Sequence, residues 1–230
     1  LVVGVSGGID SAVVSTLCAM TGLKTIGCSL AIDMREPPPK AERAKRIDLA
    51  MDHLYWLDSH FPKTFDGKSI NMTNVFRRFY KLANQLNDGS ALGFANSRAR
   101  IRMMMLYQIA QSNNGLVIGT GNKVEDFGVG FFTKWGDGGV DISPIGDLYK
   151  SEVYELGASL NILDSIMTAT PTDGLWDDDR TDVDQLGLTY DQLEEAMKWG
   201  TGSQHYDRYV ELRTANLHKM QSTPVFKNEQ

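Results

Sequence analysis

Ser6-Gly7-Gly8-Ile9-Asp10-Ser11 brings two glycines, two hydroxyls and a carboxylate into one short stretch. The glycines let the backbone turn tightly and approach a ligand with no Cβ in the way. A helix starting here would aim the unpaired N–H groups of its first turn at the same space, where its dipole favours negative charge. Ser6 and Ser11 add hydroxyl donors, so the chemistry indicated is phosphate binding. Asp10 would repel a bare phosphate, and its presence at an anion site points to a bridging Mg²⁺. A second acid, Glu125, stands in Gly119-Thr120-Gly121-Asn122-Lys123-Val124-Glu125-Asp126. By itself it reads first as an ordinary acid in the first turn of a helix. Lys134 and Lys150 carry compact charges suited to a phosphoryl group, although each read alone is a surface lysine.

Several other chemistries are set aside by the same residues. The loop lacks the lysine of a Gly-Lys-Ser or Gly-Lys-Thr phosphate loop. His218 has no Cys or His at ligand spacing, which argues against zinc. Cys18 and Cys28 lack neighbours that would activate a nucleophile and read as buried, reduced thiols. The ten methionines read as core or interface filler. Asp177, Asp178 and Asp179, with Asp182 and Asp184, read as a solvated acidic loop.

The elements that must position these groups follow from periodicity. Leu1 to Val5 is a β-branched run suited to a buried parallel strand, and Ile9, Ala12, Val13, Thr16, Leu17 and Met20 mark one face of a helix ended by Gly22. Thr25 to Ile32 predicts a second strand, giving a β-α-β opening. Pro37 to Pro39 breaks regular structure. Helices are predicted over 41–59, with Ile47 among its inward residues, and over 74–86, 95–111, 150–160, 190–199 and 205–219. Residues 63–68 read as a loop, with short strands at 69–72 and 116–119. Residues 128–146, rich in glycine and aromatics, read as a working loop. Arg98 and Arg102 share a helix face and Arg100 points nearly opposite, so one arginine should sit at a border or interface. Strands alternating with helices predict an α/β fold.

At 230 residues and 42% hydrophobic, the chain suits one globular domain with a real core. A net charge of −6 argues against a nucleic-acid partner. The longest apolar run falls short of the roughly 18 residues a membrane span needs, and the start lacks a secretion-signal pattern.

The glycine loop resembles that of the PP-loop ATP pyrophosphatases, which split ATP into AMP and pyrophosphate. Four further segments narrow the likeness: Asn96 to Met103, Gly119 to Asp126, Gly130 to Asp141, and His218-Lys219 followed by Pro224 and Phe226. Together they resemble ammonia-dependent NAD synthetase from the first residue nearly to the last. The resemblance implies a parallel-sheet, Rossmann-like, three-layer fold with helices on both faces, of the adenine nucleotide alpha hydrolase type. It implies a single domain over 1–230, no glutaminase domain, and a missing N-terminal lead-in segment. It implies a cytoplasmic ligase, a homodimer, that adenylates the nicotinate carboxylate of deamido-NAD with ATP and amidates it with ammonia. Carried over by position, Gly4, Val5, Ser6, Gly7, Gly8, Ile9, Asp10, Ser11, Thr120, Lys150 and Thr172 would hold ATP. Asp10 and Glu125 would ligate Mg²⁺, and Arg100, Lys134, Asp137, Asp141, His218 and Lys219 would hold deamido-NAD. Gly121-Asn122-Lys123 departs from the commonest bacterial form. The rivals are another AMP-forming PP-loop ligase, of the GMP synthetase or tRNA-modifying kind, and a non-catalytic nucleotide-binding module.

Overall fold

The computed structural model of the protein describes residues 1–34, 40–176, 178 and 180–227. The proline break at 37–39, the side chain of Ile47, and Asp177 and Asp179 fall outside the described residues. A parallel sheet is built from β1 (Val2–Gly4), β2 (Thr25–Ala31), β3 (Phe65–Asn71) and β4 (Val117–Ile118), in the order β3-β2-β1-β4. A parallel bridge from Ile118 to Ile142 extends it beyond β4.

Side-chain alternation along β1 explains the three layers. Val3 packs with Ile9, Val13 and Cys18 of α1 (Ile9–Met20), Val153 of α5 (Lys150–Ser159) and Ile166 of α6 (Asp164–Met167). Val2 turns the other way, onto Met103, Leu106 and Ala110 of α4 (Ala91–Ser112). Register keeps neighbours on the same face, with Val2 beside Ile26 and Val117, and Val3 beside Ile118. On the α1 side, α2 (Lys40–His60) lays Leu54 against β2. That approach requires glycine at 27, where a Cβ would come within 2.9 Å of Leu54 and 2.4 Å of the Phe65 ring.

The helix over 74–86 is α3 (Thr73–Gln85), and those over 190–199 and 205–219 are α8 (Tyr190–Trp199) and α9 (Tyr206–Met220). Two features differ most from the sequence expectation. Strand β3 begins at Phe65, inside the segment read as a loop, because an edge strand tolerates polar residues that mask its alternation. Asp66 and Lys68 pair there at 2.8 Å on the exposed side. The acidic loop contains a short helix, α7 (Asp182–Leu186), whose Thr181 and Asp184 cap it reciprocally and whose Gly187 ends it at φ 74°.

Candidate active site

In this strand order the chain runs outward through β2 and β3, then returns to place β4 on the other side of β1. The crevice at the carboxyl ends of β1 and β4 is where ligands gather in open α/β sheets. The glycine loop leaves β1 with Gly7 at φ 87°. Ser6 N–H donates to Ser11 Oγ at 3.1 Å, the two hydroxyls lie 3.0 Å apart, and Ser11 Oγ donates to the Gly8 carbonyl at 2.9 Å. The loop thus ties itself shut. Gly8, at the N-cap of α1, offers no side-chain cap, so among the described residues the first-turn N–H groups stay free for an anion.

After β4, a π-helix spans Lys123–Val129, a form of helix found mostly at functional sites. Asn122, fully buried, caps it by accepting from the Val124 and Glu125 N–H groups, each at 3.0 Å. Its Nδ2 donates to Asp10 Oδ1 at 3.0 Å, linking the two loops across the crevice. Gly121 makes room for this turn, since a Cβ there would lie 1.9 Å from the Asp126 carboxylate.

Lys150, at the start of α5, closes the constellation. Its ammonium donates to Asp10 Oδ2 at 2.5 Å and to Glu125 Oε1 at 3.0 Å. Its side chain is 4% exposed, so it is no surface lysine. Burial works against its charge, but the Asp10 and Glu125 carboxylates outweigh that and raise its pKa. The Tyr190 ring of α8 lies under the same ammonium, 4.6 Å from its centroid. The Tyr190 hydroxyl reaches Glu125 Oε1 at 2.5 Å and Asp182 Oδ2 at 2.8 Å. Burial first, then those two acids, raises its pKa. Burial likewise pushes the Asp182 and Asp137 carboxyls up to about 6. Two carboxylate oxygens converging on one cationic atom, with no sulfur or imidazole, are a donor set that fits Mg²⁺ when phosphates and water complete its shell. Among the described residues no three potential metal-binding side chains cluster.

A cavity of about 840 Å³ opens beside this cluster, large enough for a nucleotide. Gly4 to Ser11, Thr120, Glu125, Asp137, Lys150 and Thr172 all line it. The Thr172 hydroxyl donates to the Arg180 carbonyl at 3.1 Å. Of the three arginines, Arg98 and Arg102 line the cavity, and Arg100 is exposed. Arg98 donates to the Leu175 carbonyl and lies over the Phe76 ring; Arg102 donates to the Leu30 carbonyl at 3.0 Å.

The other sequence-predicted residues gather elsewhere. Arg100 Nε donates to the Lys134 carbonyl, and Lys134 Nζ to the His218 carbonyl at 2.7 Å. Lys219 Nζ donates to the Gly130 and Phe132 carbonyls, both at 2.8 Å. These bonds lash α9 to the 128–146 loop. Asp141 accepts from the Val117 N–H at 2.8 Å and the Tyr107 hydroxyl at 3.1 Å, fixing that loop to β4. None of these five residues lines the cavity. The sequence assigns no site role to Asn122, Tyr190, Asp182, Arg98 or Arg102. The i, i+4 face of the arginines is the one available signal; the others are joined only by the fold.

Residues 1–229 match the family described as NAD synthase. The chain is 41% identical over 202 residues to the NH(3)-dependent NAD(+) synthetase of Methanococcoides burtonii, covering 86% of this chain and 70% of that protein. Among solved structures, the NMN synthetase of Francisella tularensis aligns at a TM-score of 0.83 and 33% identity, over 98% of this chain and 89% of the other. The NH3-dependent NAD synthetase of Campylobacter jejuni aligns at 0.72 and 26% identity, over 98% and 88%.

Proposed function

The chain belongs to the NAD synthase family, and from that premise we propose that it amidates the nicotinate carboxylate of deamido-NAD with ammonia while cleaving ATP to AMP and pyrophosphate. The observation that carries this reading is the Asp10–Lys150–Glu125 cluster at the mouth of the phosphate loop. In the first step the nicotinate carboxylate attacks the α-phosphorus, forming an acyl adenylate and expelling pyrophosphate. The open N-terminus of α1 and residues 4–11 receive the departing phosphates, with Thr120 and Thr172 on the nucleotide. Mg²⁺ bound through Asp10 and Glu125 would neutralise phosphate charge. Lys150, competing for the same carboxylate oxygens, would then turn its ammonium toward the phosphates. Ammonia attacks the activated carbonyl in the second step and AMP leaves. Such chemistry asks for charge neutralisation, alignment and exclusion of water more than for a nucleophilic side chain.

Asp137, at the cavity wall, would meet the nicotinate or ammonia end. Arg100, Lys134, Asp141, His218 and Lys219 would serve deamido-NAD along the outer surface, directly or by holding the loop. Val75, Phe79, Leu82 and Leu86 form an exposed apolar stripe at helical spacing on and just beyond α3, which supports a homodimer. Cys18 and Cys28 are free, in keeping with a reducing cytoplasm. Among the described residues no helix is long and apolar enough to cross a membrane.

The test is NAD formation from deamido-NAD, ATP and ammonium, with AMP measured alongside. NAD and AMP should rise one for one, and Asp10→Asn should abolish both. ADP in place of AMP, or near-normal turnover of Asp10→Asn at saturating Mg²⁺, would overturn the assignment. A second reading, amidation of nicotinate mononucleotide, draws support from the likeness to the Francisella tularensis NMN synthetase. Comparing kcat/KM for the two nicotinate substrates decides between them.

A further inference from the structure

The hydrogen bonds found for the Glu125 carboxylate among the described residues both fall on Oε1, from Lys150 and from Tyr190. Tyr190 stands 65 residues further along the chain. Its hydroxyl is held from behind by Asp182 Oδ2 at 2.8 Å. Asp182 is only 5% exposed, and its second oxygen, Oδ1, is buried without a hydrogen-bond partner among the described residues. Burying a carboxylate with an unsatisfied oxygen costs stability, so such a group calls for an explanation.

The local fold does not supply one. Helix α7 is already capped by Thr181 and Asp184 and ended by Gly187. The Asp182 N–H does donate to the Pro171 carbonyl at 3.2 Å, tying α7 to the cavity-lining segment before Thr172. Any residue at 182 with a backbone N–H could make that bond. What the side chain adds is its contact with the Tyr190 hydroxyl.

A glutamate tethered only to a lysine would be free to rotate when that lysine moves. Without Tyr190, Glu125 would be in that position, because a divalent cation and the Lys150 ammonium compete for the same oxygens. Tyr190 restrains Oε1 from a different element and does not depend on Lys150. We propose that Asp182 and Tyr190 are positioning residues that hold Glu125 in its cation-binding orientation when Lys150 leaves it. The inference rests on the reading of Asp10 and Glu125 as cation ligands. Partners that orient a metal-binding side chain in this way typically contribute about 10-fold or more to affinity.

Mn²⁺ serves as the probe, with binding to the whole chain followed by loss of the free-ion EPR signal. Tyr190→Phe keeps the ring under Lys150 and deletes only the hydroxyl; it should weaken Mn²⁺ binding about 10-fold. It should raise the Mg²⁺ needed for half-maximal NAD formation by a similar factor while leaving kcat at saturating Mg²⁺ nearly intact. Asp182→Ala should do the same. Asp182→Asn, whose amide N–H can donate to the Tyr190 oxygen while the single phenol proton stays on Glu125, should retain Mn²⁺ binding. A purely structural role would lower thermal stability in these variants without moving Mn²⁺ affinity. If Tyr190→Phe and Asp182→Ala bind Mn²⁺ like the parent while Glu125→Gln does not, the positioning role is wrong and the metal assignment stands. If Asp10→Asn and Glu125→Gln also bind normally, the metal assignment itself falls, and this inference with it.

Discussion

Replacing Lys150 with methionine keeps the apolar stem and deletes the ammonium that Asp10 and Glu125 share. The two ion pairs it breaks are 2.5 and 3.0 Å long, and each carboxylate is only 17% exposed. At an effective dielectric constant near 20, each such pair has a gross attraction of about 6 kcal/mol, much of it offset by desolvation. Leaving buried charges uncompensated is the decisive term, and it costs about 3–5 kcal/mol. For a chain of this size that corresponds to a fall in Tm of about 10 °C. The sign of the pH dependence follows. In the parent, Lys150 has a raised pKa, so its contribution is present below the ordinary lysine pKa and is lost only as pH rises above it. In Lys150→Met, two carboxylates face each other without a counter-charge, so one takes up a proton more readily than in the unfolded chain. The variant therefore recovers stability as pH falls toward the ordinary carboxylate pKa. Urea denaturation at pH 8 and pH 5 should give a deficit of about 4 kcal/mol at the higher pH and clearly less at the lower. A deficit below about 1 kcal/mol at pH 8, or one equal at both pH values, would refute the buried-charge reasoning.

Three further outcomes are expected. Gly121→Ala would set a Cβ 1.9 Å from Asp126 Oδ2, so urea denaturation should register a loss of about 1–3 kcal/mol, relieved in large part by adding Asp126→Ala. His53 is fully buried, with Nε2 3.0 Å from Ser15 Oγ and 3.2 Å from the Ala12 carbonyl, and burial lowers its pKa to about 4. Its neutral form stabilises the fold above about pH 6.5, and up to roughly 3 kcal/mol should be lost as pH falls from there to about 4; the gap between parent and His53→Gln stability curves should narrow across that window. Burial raises the Cys18 and Cys28 pKa values to about 11, so both thiols should react with a disulfide reagent at pH 8 only after unfolding; fast labelling of native protein would count against their burial.

Much of the scaffold is legible because it is local. The apolar face of α1, the run of β1 and the glycine turn between them are statements about neighbouring residues, and the fold keeps them. Periodicity places the start of α4 four residues late, since Ser90, which caps it by accepting from the Gly93 N–H, precedes polar and small residues that carry no clear period. Half of strand β3 escapes the same reading because its outer edge is polar. The acidic run at 177–184 has the composition of a solvated loop, yet Asp182 is buried against Tyr190.

By itself the sequence determined the family, the phosphate loop and the alternation of strands and helices, because each rests on residue types at short spacing. Only the tertiary structure decided what the charges do. Lys150 reads as an ordinary lysine until the fold sets it against an aspartate 140 positions away and a glutamate 25 positions away. Asn122 becomes a bridge to Asp10 across 112 residues. Electrostatic energy depends on distance through space and on access to water, and neither is encoded in the spacing along the chain.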